Sequence, residues 1–124
     1  MNKLNGVGIR RVLNATYCSF KGFKAAFLHE SAFRQELLLS ALLFPISFFV
    51  ATTVEVWLLL TISMIFLLFA EIVNSALEAL ADRISTEHHE LIGRAKDMGS
   101  SCVFLAILIL TISWCYALYL LYNS

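Results

Sequence analysis

The chain begins with an amphipathic segment and continues with three long apolar segments. Between about residues 9 and 33, basic and polar side chains occupy one side of a helical pattern. Apolar and aromatic side chains recur every three or four positions on the other side, at Ile9, Leu13, Tyr17, Phe20, Phe23 and Phe27. Such a helix is typical of a membrane interface. The alternative, packing on a soluble core, finds no such core in the sequence. We therefore predict a surface helix over about 9–33.

The three apolar segments predict transmembrane helices over about 36–52, 56–81 and 101–121. The first is short for a span that needs about 20 residues. Trp57 begins the second, and an aromatic group that includes Trp114 and Tyr116 ends the third, as expected for interface anchors. Residues 82–100 are polar and predict a connection between the second and third spans. The sequence thus predicts an all-α membrane protein, with residues 1–124 forming a single domain.

Composition supports a membrane protein. Hydrophobic residues make up 60% of the chain and the mean hydropathy is +0.80, whereas soluble domains are about 45–50% apolar. The net charge is zero, so the chain lacks the basic footprint of a nucleic-acid-binding protein. Cys18, Cys102 and Cys115 form no CxxC pair and have no zinc spacing, which argues against a metal or redox site built on cysteine.

The positions of the basic residues predict the orientation of the chain. All of them precede the first span or lie between the second and third: Lys3, Arg10, Arg11, Lys21, Lys24, Arg34, Arg83, Arg94 and Lys96. Basic residues concentrate on the cytoplasmic side of membrane proteins. We therefore expect the N-terminus and the connection between the second and third spans to face the cytoplasm.

The second half of the second span carries a polar stripe. Because a helix advances about 100° per residue, the stripe residues fall within one narrow sector: Glu71, Asn74, Ser75, Glu78 and Asp82. An ionisable residue at membrane depth indicates a functional site. The stripe needs more shielding than one three-helix subunit provides, so we predict a homo-oligomer with the stripe at subunit boundaries.

Glu71 and Glu78 are two helical turns apart, about 10 Å along one face, which is too far for both to bind one metal ion. Glu78, with a second carboxylate such as Glu30, suits Mg²⁺, which takes a few carboxylates together with phosphate oxygens and water. Glu71 lies deeper and suits a general base. The alternatives are a structural hydrogen-bonded network and a carboxylate-lined ion path.

The polar segments offer further candidates. The chain contains neither GxxxxGK[ST] nor GxGxxG, so a nucleotide site would need side-chain cations and metal, with Lys96 the best placed cation. Lys96 could equally be an ordinary cytoplasmic charge. Glu30 and Glu36 flank Arg34, for which an i,i+4 ion pair is the alternative to a metal role. His88, His89 and Glu90 do not form HExxH and favour a surface loop.

Several of these runs resemble the signature of the bacterial integral-membrane diacylglycerol kinases. The similar runs are EIVNSALEALADR at 71–83, HEL at 89–91, GRAKDMGS at 93–100, FRQE at 33–36 and WC at 114–115. The resemblance extends from about residue 10 to residue 114. It implies a homotrimer in the bacterial inner membrane that phosphorylates diacylglycerol with ATP and Mg²⁺, giving phosphatidic acid. A related branch phosphorylates undecaprenol. The alternative from another class is a small proton- or ion-conducting subunit, which would have no need of the charged cluster at 93–100.

The resemblance also implies roles for individual residues. Glu71 would be the general base, and Glu30 and Glu78 would bind the metal that bridges ATP. The residues implied in ATP binding are Arg11, Cys18, Glu30, Glu78, Glu87, His88, His89, Lys96 and Asp97. The residues implied at the lipid site are Ala32, Phe33, Arg34, Gln35, Glu36, Glu71, Asn74, Ser100 and Trp114.

Overall fold

The computed structural model describes residues 7–85, 87 and 89–124, and these residues form helices with no strand among them. The helices are α1 (Ile9–His29), α2 (Ser31–Val50), α3 (Val54–Ile84) and α4 (Glu90–Tyr122). Helices α2, α3 and α4 are each long and apolar enough to cross a membrane. The predicted all-α membrane fold with three spans is therefore confirmed.

The surface helix ends at His29, earlier than predicted. A single extended residue, Glu30, separates α1 from α2. Glu30 has φ −119° and ψ 107°, and its N–H still donates to the carbonyl of Ala26 at 2.9 Å. Residues 31–33, predicted to end the surface helix, begin α2 instead. No glycine or proline marks this break. Arg34 of α2 holds it by donating from Nη1 to the carbonyl oxygens of Phe27 (2.7 Å) and Leu28 (3.3 Å).

Replacing Arg34 with alanine should loosen the junction between α1 and α2. The guanidinium binds carbonyl groups at the C-terminus of α1, where a positive charge also complements the helix dipole. We expect the exposed contact to contribute about 1 kcal/mol to the free energy of unfolding, measured in detergent micelles. Arg10→Ala is the matched control, since Arg10 is exposed and its side chain makes no hydrogen bond to another described residue. An equal loss in both variants would contradict this role for Arg34.

A short turn joins α2 to α3. Oγ1 of Thr53 accepts a hydrogen bond from the N–H of Val56 at 3.2 Å and so caps the first turn of α3. The ring of Trp57 lies against Phe44 and Phe48 of α2, with centroid separations of 6.1 and 5.3 Å. This turn therefore fixes α2 and α3 as antiparallel neighbours.

The connection predicted over residues 82–100 is mostly helical. Helix α3 continues to Ile84 and α4 begins at Glu90, so only residues 85–89 lie between them. The polar composition of 90–100 suggested a loop, but these residues form the first turns of α4 and several of them contact the polar stripe of α3. Polarity here reflects position beyond the apolar part of the helix rather than the absence of helix.

Helix α3 is the centre of the subunit and packs most extensively against α4 and next against α2. Leu60 and Leu67 of α3 are fully buried, as are the small residues Ala106 and Ala117 of α4. Small residues allow two membrane helices to approach closely. Large apolar side chains on the outer faces of all four helices stay exposed in the single chain, as expected for surfaces that contact lipid or other subunits.

Candidate active site

The polar stripe of α3 forms two hydrogen-bonded pairs along one helix face. Oγ of Ser75 donates to Oε2 of Glu71, and Nδ2 of Asn74 donates to Oε1 of Glu78, each at 3.3 Å. Glu71 is only 4% exposed and Ser75 is 7% exposed. Both pairs have i,i+4 spacing, which brings side chains together on a helix. Each carboxylate therefore has a polar neighbour one turn away, and Asn74 also lies close to Glu71.

Glu71 also meets a second carboxyl group. Glu36, from the second turn of α2, lies beside Glu71. Oε2 of Glu36 is buried and has no hydrogen-bond partner among the described residues. The pair thus places two carboxyl groups side by side at the buried end of the stripe.

The far end of the stripe is joined to α4 by an ion pair. Nζ of Lys96 donates to Oδ1 of Asp82 at 2.6 Å, and the two side chains are 37% and 53% exposed. Arg94, two residues earlier, pairs instead with Glu90 of its own helix at 3.4 Å. Lys96 is therefore the cation of this segment that faces the stripe, while Asp97 is exposed beside it.

An apolar groove of about 480 Å³ lies among α1, α2 and α3. Three phenylalanines of α1 form one side of the groove, and apolar residues of α2 and α3 form the rest. Its lining is Phe20, Phe23, Lys24, Phe27, Phe33, Leu37, Leu68 and Ile72. This lining suits an apolar ligand.

The stripe and the α1–α2 junction offer carboxylate ligands for a divalent metal. The described residues hold no group of three or more histidine, cysteine, aspartate or glutamate side chains that could bind a metal. Mg²⁺ needs only one or two carboxylates when phosphate oxygens and water complete its shell. Glu78 fits as one such ligand. Glu30 is half-buried at the α1–α2 junction, and its side chain makes no hydrogen bond to another described residue, so its carboxylate is also free to bind a metal.

The other residues predicted to bind ATP lie on α1 and between α3 and α4. Arg11 and Cys18 are exposed on α1, and Glu87 and His89 are exposed between α3 and α4. His88 lies outside the described residues.

Within the predicted lipid set, Phe33 is buried, while Ala32, Gln35 and Ser100 are exposed. The alternative ion pair between Glu30 and Arg34 is wrong for the described residues, because Arg34 binds carbonyl groups instead. Trp114 packs against the apolar core, fourteen positions after Ser100 on α4, or about 21 Å along the axis. One chain therefore does not bring Trp114 to the stripe.

Three features of the site follow from no local sequence pattern. Asp82 was visible as a member of the stripe, but its pairing with Lys96 joins two helices and follows from no local pattern. The contact of Glu36 with Glu71 joins α2 to α3 in the same way. Gly99 gave only the weak signal of a glycine inside a polar run.

Comparison with known proteins identifies the family. A model of the prokaryotic diacylglycerol kinases matches residues 17–118. The chain belongs to this family. It is 46% identical over 108 residues to a diacylglycerol kinase of Haemophilus influenzae, covering 86% of this chain and 91% of the relative. It is 43% identical over 115 residues to a diacylglycerol kinase of Escherichia coli K12, covering 93% of this chain and 94% of the relative. A diacylglycerol kinase of Pseudomonas aeruginosa is 43% identical over 107 residues, covering 86% and 87%. The matched residues, 17–118, include the whole polar stripe. The stripe therefore lies in the part of the chain that is similar to the prokaryotic diacylglycerol kinases.

Proposed function

We propose that the chain is an ATP-dependent lipid kinase that phosphorylates the hydroxyl of diacylglycerol to give phosphatidic acid. The observation that carries this proposal is the buried carboxylate of Glu71 within the polar stripe of α3, in a chain of the prokaryotic diacylglycerol kinase family. The whole chain would act as one membrane-embedded kinase domain in the bacterial inner membrane.

Glu71 is the proposed general base. Its carboxylate accepts the proton of the lipid hydroxyl as that oxygen attacks the γ-phosphorus of ATP, and ADP leaves. The hydrogen bond from Ser75 orients this carboxylate through Oε2. Glu36, in contact with Glu71, offers a place to which the proton can pass. Placing a base within hydrogen-bonding reach of the reacting hydroxyl is what general base catalysis requires.

The groove among α1, α2 and α3 is the proposed acyl-chain site. Its phenylalanines would contact the acyl chains, while the glycerol hydroxyl reaches Glu71. The lipid need not leave the membrane. Further candidates for lipid contacts are Ala32, Phe33, Arg34, Gln35, Glu36, Asn74 and Ser100, and Trp114 further along α4.

ATP is proposed to bind at the outer end of the stripe. When bound through Glu78 and Glu30, Mg²⁺ would supply charge neutralisation to the phosphates. Lys96 would hold the γ-phosphate, since phosphoryl transfer depends mainly on alignment and charge stabilisation. Further proposed contacts with the nucleotide are Arg11, Cys18, Glu87, His88, His89 and Asp97.

We propose a homotrimer as the active assembly. A single chain exposes many large apolar side chains on all four helices. Contact between neighbouring subunits would bury part of this surface and would shield the polar stripe from lipid. The distribution of basic residues supports an N-terminus and an α3–α4 connection in the cytoplasm, where ATP is available.

The test is an assay with the chain in detergent micelles, supplied with ATP, Mg²⁺ and diacylglycerol. We expect phosphatidic acid to form, and to form faster than the corresponding phosphate of undecaprenol when that lipid replaces diacylglycerol at equal mole fraction. The measurement is transfer of γ-labelled phosphate to lipid. Preferential labelling of undecaprenol would change the assigned substrate, and no labelling of either lipid would overturn the kinase proposal.

A further inference from the structure

Gly99 of α4 is buried directly opposite Asn74 of the polar stripe. A Cβ atom at position 99 would overlap Oδ1 of Asn74 and would lie 3.4 Å from Cγ of Asn74 and from Cδ1 of Leu77. Gly22, in the middle of α1, has no such neighbour, because a Cβ there would meet nothing within 4 Å. The space beside Asn74 is therefore a specific property of position 99.

The two ends of the Asn74 amide have different surroundings. Nδ2 donates to Oε1 of Glu78 at 3.3 Å. Oδ1 is buried and has no hydrogen-bond partner among the described residues. Because an ionised carboxylate only accepts hydrogen bonds, the NH₂ end must face Glu78, and the carbonyl end must then face α4. The absence of a side chain at Gly99 leaves room for this orientation.

A methyl group at position 99 would displace the side chain of Asn74 rather than the backbone. The overlapping atom is the end of a side chain, which can rotate away, whereas the contact with Leu77 at 3.4 Å is close to ordinary van der Waals distance. Rotation of the amide would move Nδ2 away from Glu78. The carboxylate would lose its only hydrogen bond to a described side chain, and its orientation would no longer be fixed.

We propose that Gly99 is a positioning residue for Glu78. Its lack of a side chain reserves the space for the Asn74 amide, which in turn holds the Glu78 carboxylate in the orientation that binds the divalent metal. This inference rests on the proposed function for the role of Glu78 as a metal ligand. Groups that orient a metal ligand typically change metal affinity by about 10- to 100-fold when they are removed.

The experiment measures binding of Mn²⁺, as a paramagnetic substitute for Mg²⁺, to the full chain in micelles with a non-hydrolysable ATP analogue. We expect Gly99→Ala to weaken Mn²⁺ binding by about 10-fold or more and to raise the Mg²⁺ concentration needed for half-maximal kinase activity. Gly22→Ala is the matched control, since it makes the same change within a helix but in open space. It should leave Mn²⁺ binding unchanged.

A double-mutant cycle separates positioning from packing. Asn74→Ala should weaken Mn²⁺ binding to a similar extent, and adding Gly99→Ala to Asn74→Ala should cause no further loss, because the shorter side chain no longer meets the new methyl group. A further loss in the double variant, or failure of both Gly99 variants to fold, would overturn the proposal in favour of backbone packing. Unchanged Mn²⁺ binding by Gly99→Ala would also overturn it. Absence of Mn²⁺ binding by the parent chain would instead remove the metal role of Glu78 from the proposed function, and this inference with it.

Discussion

Glu71→Gln should abolish lipid phosphorylation while leaving nucleotide binding intact. Glutamine has nearly the same shape as glutamate and can still accept the hydrogen bond from Ser75 through its amide oxygen. It cannot accept a proton from the lipid hydroxyl. Because general base catalysis contributes about 10²- to 10⁴-fold, we expect kcat to fall by about that factor. Steady-state rates of phosphatidic acid formation measure the loss, and titration with a non-hydrolysable Mg·ATP analogue measures binding.

Glu78→Gln is the matched control for this prediction, because it makes the same chemical change two turns along the same helix. Its expected defect is in metal and nucleotide binding. The two variants should therefore show different defects. Glu71→Gln loses turnover even at saturating Mg·ATP, whereas Glu78→Gln recovers part of its turnover when the Mg²⁺ concentration is raised. A Glu71→Gln variant that keeps full activity would show that Glu71 is not the base and would direct attention to Glu36.

The contact between Glu36 and Glu71 also bears on the alternative of proton conduction. A conducting path needs a chain of titratable groups across the membrane, whereas the charged groups of the described residues near this pair lie towards one end of α3, at Glu78 and Asp82. The central part of α3, from Leu58 to Ala70, carries no charged residue. The polar groups thus connect a buried carboxyl pair to one surface only. This arrangement suits chemistry at an interface better than passage through the membrane.

The architecture could be predicted from the sequence because it depends on local patterns. Long apolar segments and the amphipathic period of α1 specify the helices without reference to their neighbours, and the structure has all four. Boundaries were less predictable where a distant group determines them. The end of α1 at His29 depends on Arg34 of the next helix, and the first turns of α4 are polar because they lie beyond the apolar part of that helix. Composition alone could not distinguish that polar helical face from a loop.

Contacts within one helix of the candidate site could also be predicted from the sequence, whereas contacts between helices could not. Pairs within α3, such as Ser75 with Glu71, follow from helical spacing and could be placed on one face from the sequence. Pairs between helices depend on the axial register of α3 against α2 and α4, which no short pattern specifies. The contacts of Glu36 with Glu71 and of Lys96 with Asp82 belong to this group. The space beside Gly99 also appears only when two helices are docked.

Lys96→Met should reduce phosphoryl transfer strongly with little effect on folding. Lys96 is the cation of α4 that faces the stripe, and methionine keeps a similar unbranched stem without the charge. Loss of a group that stabilises transition-state charge typically costs about 10²- to 10³-fold in rate. We expect kcat/KM for Mg·ATP to fall by about that factor. Loss of the partly exposed pair with Asp82 should change the free energy of unfolding little, as measured by denaturation in micelles.

Arg94→Met provides the control that distinguishes a specific contact from general positive charge. Both residues lie at the start of α4 and both substitutions remove one positive charge, but Arg94 pairs with Glu90 on its own helix at 3.4 Å and its side chain is 62% exposed. We expect Arg94→Met to retain most of the parent kcat/KM, and Lys96→Arg to recover part of what Lys96→Met loses. Equal losses in the two methionine variants would mean that Lys96 acts only through the local electrostatic potential. In that case the γ-phosphate contact would have to be assigned to another residue of the stripe or of a neighbouring subunit.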